Sequence, residues 1–363
     1  MAKTDKDIHQ KELALRFCVL SGYLPFLEVN VENLRELSDV STTITDVDAL
    51  GILIDASGSR RMTIFDCKTS KSSPINRAFW ASGLMSFIES DQAFVILRRK
   101  APEAQRLSAK KLNVHLFDEN QFTHYAEAYS LSFKEDYSYC THIENWLSLS
   151  EIYKNYPAFE KFGEFLDSEV PIENDPARGV KRLFSALKKG RGEFNPAKVQ
   201  HQAIFQHVLM SFCYLLSMIV HDLKSVIDYD SDKETFEKIL KYYIWNGRES
   251  YLTRQRLKEM FSHNNQSIDS ELEFSNWSEF VELVRKLLDA PAEVFKASLF
   301  ARELSLRTAT NQDEEKDKYL AKILSSSSRI RQFLFSQARY LQRAQKLPTE
   351  FIDRLNQQFD ELA

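Results

Sequence analysis

Residues 45–68 read T-D-V-D-A-L-G-I-L-I-D-A-S-G-S-R-R-M-T-I-F-D-C-K, and this stretch decides the fold. Two β-like runs flank the turn A-S-G-S-R-R, which predicts a hairpin with Gly58 in its turn. Each run carries acids that a half-buried strand normally avoids. A strand sends Asp66 and Lys68 to one face and Cys67 to the other. Asp48 lies on the preceding run, where the hairpin returns it beside Asp66. Two carboxylates and an ammonium at the end of a buried hairpin are costly unless they bind something. A divalent metal and a phosphate satisfy all three. The competing reading is a surface hairpin with solvated charges, whose Lys–Asp pair is worth little. That reading leaves inward-facing charges on an otherwise apolar hairpin unexplained.

Working outward, residues 8–21 have helical period and end near Gly22, followed by a strand at 26–31. Past the hairpin, residues 75–89 return to helical period, with Pro74 suited to the start. A strand at 93–97, the basic bend R-R-K-A-P, a short helix to Lys111 and a strand at 112–117 complete the series. The order predicts an α/β sheet with at least one crossover, occupying about residues 1–125.

Beyond about residue 120 the strand signal fades. Nine glycines in 363 residues, about 2.5% against an average of about 7%, leave long amphipathic segments with few breakers. A mostly α-helical domain over 126–363 follows, with helix starts at Asn276 and after Pro291. The stretch 170–196 holds Pro, Gly and charge and reads as a connection. The apolar run 208–220 is shorter than the roughly 20 residues a bilayer needs and reads as a buried helix, so no membrane partner is expected.

The net charge of −4 makes any nucleic-acid surface local rather than global. Cys18, Cys67, Cys140 and Cys213 are scattered without C-x-x-C spacing, which points to reduced thiols in a cytoplasmic protein. The start M-A-K-T-D-K-D has no apolar signal core. His201 and His207, six apart, match no helical metal spacing and read as ordinary polar or core histidines. Nothing resembles G-x-x-x-x-G-K-[ST], so ATP-driven translocation would come from another chain.

T-D-V-D-A-L-G, then I-F-D-C-K, then a helix and the strand A-F-V-I-L resemble the PD-(D/E)XK superfamily over about residues 8–120. This is the restriction-endonuclease-like fold, with an αβββαβ core around a mixed central sheet. The resemblance implies that Asp48 and Asp66 are the metal-binding acids and Lys68 the lysine that orients or activates the attacking water. It also implies that the backbone carbonyl of Cys67 completes the metal shell and that Glu12 is an additional acid on the opening helix. The proline of the superfamily name is absent, since Thr45 and Val47 flank Asp46. Members of this branch commonly act on DNA, often in bacterial restriction or antiphage defence.

The chemistry is consistent with those residue types. Phosphodiester hydrolysis needs an in-line water and compensation for charge on the phosphoryl oxygens. Mg2+, for which Mn2+ can substitute, prefers oxygen ligands and keeps several waters, so one or two carboxylates suffice. Lys68 can stabilise developing charge or take part in proton transfer. Asp46 is either a second acid of the site or a solvated strand end. Lys71, Arg77, Arg98 and Arg99 are candidate contacts to a phosphate backbone, although solvated loop residues look the same. Basic residues at 178–191 and at 329–343 either grip nucleic acid or pair with the acids of this half. The helical part is expected to recognise substrate, to make a homo-oligomer or to dock a protein partner. The alternative to an enzyme is a scaffold or nucleic-acid-binding subunit that keeps the nuclease fold without cutting.

Overall fold

A computed structural model describes residues 7–33, 40, 42–55, 57–69, 73–130, 132–135, 137–228, 230–263 and 272–362. Helix α1 (Ile8–Leu20) leads into strands β1 (Leu24–Glu32), β2 (Thr43–Ile54) and β3 (Arg60–Lys68). Helix α2 (Pro74–Ile88) crosses to β4 (Gln92–Leu97), and α3 (Glu103–Lys110) crosses to β5 (Val114–Asp118). The sheet order is β1-β2-β3-β4-β5, antiparallel across the first three strands and parallel across the last three. The expected mixed α/β sheet and its element order are therefore present.

Local chemistry explains the hairpin. Gly58 adopts φ +87°, which a side chain resists, and Asp55 Oδ1 accepts from the backbone N–H groups of Ser57 and Ser59 at 2.9 and 3.0 Å. Helices cover both faces of the sheet. On one, Phe17 of α1 meets Phe65 and Phe94, which stack 5.4 Å apart and also pack on Phe122 of α4 (Glu119–Tyr129). On the other, α2 buries Ala78, Ala81, Leu84, Met85 and Ile88. Asp66 and Lys68 alternate with Phe65 and Cys67, so they belong to the α2 face.

Among the described residues no strand follows β5, and the remainder is helical. Its centre is α8 (Val199–Lys224), buried on every side and packed along α12 (Pro291–Ala309), with Ser305 Oγ donating to the Ala203 carbonyl. The buried helix expected at 208–220 is longer than that run because His201, Gln202 and Gln206 are also buried. It is long and apolar enough to cross a membrane, yet 94% of its most apolar window lies inside the protein.

The stretch read as a connection is largely helix. Helix α7 (Pro176–Gly190) places Pro176 at its first turn, and Gly179 packs so closely that an added Cβ would meet Leu215 Cδ2 at 2.6 Å. Helix α11 (Trp277–Leu287) begins after Asn276, which sits in the left-handed region without a side-chain cap, and α12 restarts at Pro291 as expected.

The helical half grips the sheet at β1 and at the hairpin tip. Asn30 N–H donates to Ser168 Oγ at 3.1 Å, and Arg60 donates to the Glu173 carbonyl at 2.7 Å. Arg302 of α12 is fully buried with its guanidinium 4.9 Å from the Phe26 ring and 4.8 Å from the Trp146 ring.

Candidate metal and phosphate site

The β2–β3 ladder pairs Ala49 with Phe65, so the next opposed pair in this register is Asp48 and Asp66. There the backbone ladder ends, and the Asp48 side chain takes over. Its Oδ2 accepts from the Cys67 N–H at 2.8 Å. In a strand, the N–H and C=O of one residue face the same neighbour, so the Cys67 carbonyl shares the Asp48 edge. The Lys68 carbonyl faces the other way and accepts from Arg98 N–H at 3.3 Å.

The Lys68 ammonium lies 3.0 Å from Asp48 Oδ2 and 3.7 Å from Asp66 Oδ1. Both carboxylates thus address one point. Asp48 is 5% exposed and Asp66 2%, whereas the Lys68 side chain is 27% exposed, so the cluster opens to solvent on the lysine side. Asp7 secures the chain just beyond, its Oδ1 accepting from Thr69 N–H at 2.6 Å.

Two further cations enter the site. Lys11, only 4% exposed, reaches from α1 to Glu28 Oε1 at 2.7 Å and stands 3.9 Å from Asp48 Oδ1. Arg77 of α2 clamps Asp66 with two donors, Nε at 2.7 Å from Oδ2 and Nη2 on Oδ1, and its guanidinium lies 4.1 Å from the Trp80 ring. Glu28 holds φ +51°, a strained conformation for a residue with a side chain, and such strain concentrates at functional sites.

Burial pushes the Asp48 carboxyl up to about 6 against the opposing attraction of Lys68. Burial also pulls on the Lys68 ammonium, but the Asp48 and Asp66 charges outweigh it and hold the lysine above its ordinary value. Burial raises the Cys67 thiol well above the usual range.

This donor set fits a hard divalent cation. It offers two converging carboxylates, a carbonyl on the same edge and an open side for water. Among the described residues no cluster of three or more His, Cys, Asp or Glu forms a metal cage. The Arg77 clamp would have to loosen for Asp66 to coordinate.

Of the residues expected from sequence, Asp48, Asp66 and Lys68 come together and Arg77 joins them. Arg77 is engaged with Asp66 and is not free for a phosphate backbone. Glu12 does not join. Its Oε1 accepts from Ile143 N–H at 3.3 Å and lies 3.7 Å from His142, whose hydrogen bond holds the Glu12 carboxyl low. Arg98 and Arg99 are exposed at the end of β4, next to Lys68 in the sheet, and Lys71 lies outside the described residues. Asp46 is exposed on β2. Lys11 and Glu28 were not anticipated, although Glu28 interrupts the apolar run of β1 and was a readable signal.

Three other arginines pair with acids within the fold. Arg61 pairs with Asp55 and Asp91, Arg178 with Glu173, and Arg182 with Glu169. Both singled-out histidines are core residues, and His207 Nδ1 lies 2.9 Å from the Tyr153 hydroxyl. The four cysteines are free and buried. No family model, curated protein or solved structure matches this chain.

Proposed function

We propose that this chain is a divalent-cation-dependent nuclease that hydrolyses phosphodiester bonds, with DNA as substrate and Asp48, Asp66 and Lys68 as its reacting set. The observation that carries the reading is the convergence of two nearly inaccessible carboxylates on one point at the open end of a hairpin. Burying such a pair is costly, and a bound cation offsets the cost. The order α1-β1-β2-β3-α2-β4 also supports it, being the core order of the restriction-endonuclease-like superfamily that the motif resembles.

Asp48, Asp66 and the Cys67 carbonyl would hold Mg2+, which when bound supplies charge compensation at the phosphoryl oxygens and a polarised water. Lys68, with its ammonium 3.0 Å from Asp48 and 3.7 Å from Asp66, is placed to orient or activate the attacking water, to stabilise phosphoryl charge or to take part in proton transfer. Lys11 adds a positive charge beside Asp48 from the α1 side, 3.9 Å from its Oδ1. Arg98 and Arg99, exposed one strand away, are placed to meet the flanking backbone phosphates. A role in restriction or antiphage defence rests on the resemblance alone.

The test is incubation of plasmid DNA and single-stranded RNA with Mg2+ or Mn2+, comparing wild type with Lys68→Ala. DNA cleavage reduced by about 100-fold or more in the variant supports the reading. Cleavage by both at one rate assigns the activity to a contaminant or another site. One observation favours the second reading, a nuclease fold that no longer cuts: Arg77 occupies both oxygens of Asp66. A wild type inactive on every substrate with either metal would favour that reading.

A further inference from the structure

A recess of about 690 Å³ runs along α14 (Ser328–Gln345), bounded by Lys286 of α11, by α13 (Glu314–Ser326) and by the end of α15 (Glu350–Glu361). Ser328, Arg331, Gln332, Phe335, Ser336 and Arg339 line it, and their spacing places them on one face of the helix. Arg331 and Arg339 are eight residues apart, about 12 Å along the axis, with Phe335 midway. Their guanidinium groups lie 5.8 and 5.9 Å from its ring.

Several cations of the helical half face a carboxylate, as Arg178, Arg182, Lys233, Lys241, Arg307 and Arg343 do. Within the recess, Arg331 is likewise paired with Asp360 at 2.7 Å. Three neighbours differ. Lys286 donates to Ser336 Oγ at 2.7 Å, Arg329 to Gln332 Oε1 at 3.3 Å, and Arg339 makes no ion pair among the described residues. Burial, then the charges of Arg329 and Arg339, hold the Lys286 ammonium below its ordinary value, a repulsion that a bound anion relieves. A chain of net charge −4 thus sets Lys286 and Arg339 on the lining of a recess that also holds Ser325, Ser328 and Ser336, with Arg329 beside Lys286, and none of the three makes an ion pair among the described residues.

We propose that the α14 groove binds single-stranded nucleic acid, with phosphates on Lys286, Arg329 and Arg339 and a base against the Phe335 ring. This deepens the nuclease reading and rests on it for the choice of ligand. Cations interleaved with an aromatic floor suit an unpaired strand, which offers backbone charge and an open base face together. A duplex keeps its bases stacked away from Phe335, and free phosphate leaves the ring unused.

The test is a fluorescence-anisotropy titration of a labelled single-stranded oligonucleotide of about a dozen nucleotides in EDTA, where no cleavage occurs. The expected result for K286Q/R339Q is binding weaker by about tenfold or more. Its salt dependence should fall by about 1.4 in log–log slope, about 0.7 for each lost phosphate contact. Phe335→Leu, which keeps the apolar floor, should weaken binding several-fold without changing the slope. Wild-type affinity and slope in K286Q/R339Q overturn the proposal, as does competition by duplex or inorganic phosphate equal to that of the single strand. The titration needs no divalent cation, so a wild type that binds but never cuts removes only the nuclease reading. Cleavage by wild type together with unchanged binding by K286Q/R339Q removes only this one.

Discussion

Replacing Asp48 by Asn should stabilise the folded chain while abolishing its proposed activity. The folded protein holds a proton on Asp48 up to about pH 6, whereas the unfolded chain loses it near the ordinary value of 3.8. Between those values the native state binds the extra proton, so stability falls as pH rises, and above about pH 6 the full cost is present. The separation corresponds to about 3 kcal/mol, already net of the attraction to Lys68. Asn keeps an acceptor for the Cys67 N–H, so the expected gain at pH 7.5 is about 1–3 kcal/mol, or several degrees in Tm. At pH 4.5, where the unfolded chain is already largely ionised at this position, the gap should shrink to about a third of its pH 7.5 value. The assay is urea and thermal denaturation of both proteins in EDTA at the two pH values. Adding Mg2+ should then raise the wild type by about 1.4 kcal/mol per tenfold excess over Kd and leave Asp48→Asn unmoved. A variant less stable than wild type at pH 7.5, or a difference independent of pH, refutes the reasoning.

Arg77→Gln should free the Asp66 oxygens and tighten apparent Mg2+ affinity by about tenfold, comparable to one charged hydrogen bond, as read by a metal titration; weaker affinity would make Arg77 part of the working site. Asp167→Asn should cost about 3 kcal/mol in urea denaturation. Arg302 is fully buried with Asp167 Oδ1 3.7 Å away as its nearest acid, and its guanidinium nitrogens make no hydrogen bond among the described residues. Gly51→Ala should cost about 1–3 kcal/mol because the new Cβ would meet Cys18 Sγ at 2.8 Å, and Cys18→Ala should recover part of that loss in a double-mutant cycle.

The hairpin and its acids were legible because strand period and a glycine turn fix both facing and register. Once Asp55 and Gly58 close the turn, Asp48 must oppose Asp66, and Lys68 must share their face. The helix contributions were less legible. Successive helical positions differ by about 100°, so whether Lys11 or Glu12 turns toward the sheet depends on how α1 docks, which its own sequence does not state. The Phe17–Phe65 contact sets that docking and swings Glu12 to His142. Residues 176–190 misled for a different reason. Pro176 and Gly179 look like helix breakers, yet one occupies a first turn and the other admits Leu215. Arg77 resembled a free basic residue because its partner, Asp66, is eleven positions away on another element.

The most direct measurement is an anomalous-difference map from crystals soaked in Mn2+. The account predicts a single strong peak between Asp48 and Asp66, about 2.1–2.3 Å from an oxygen of each, with the Arg77 clamp released from at least one Asp66 oxygen. An empty map between the two carboxylates at millimolar Mn2+, with Arg77 still holding both oxygens of Asp66, would contradict it.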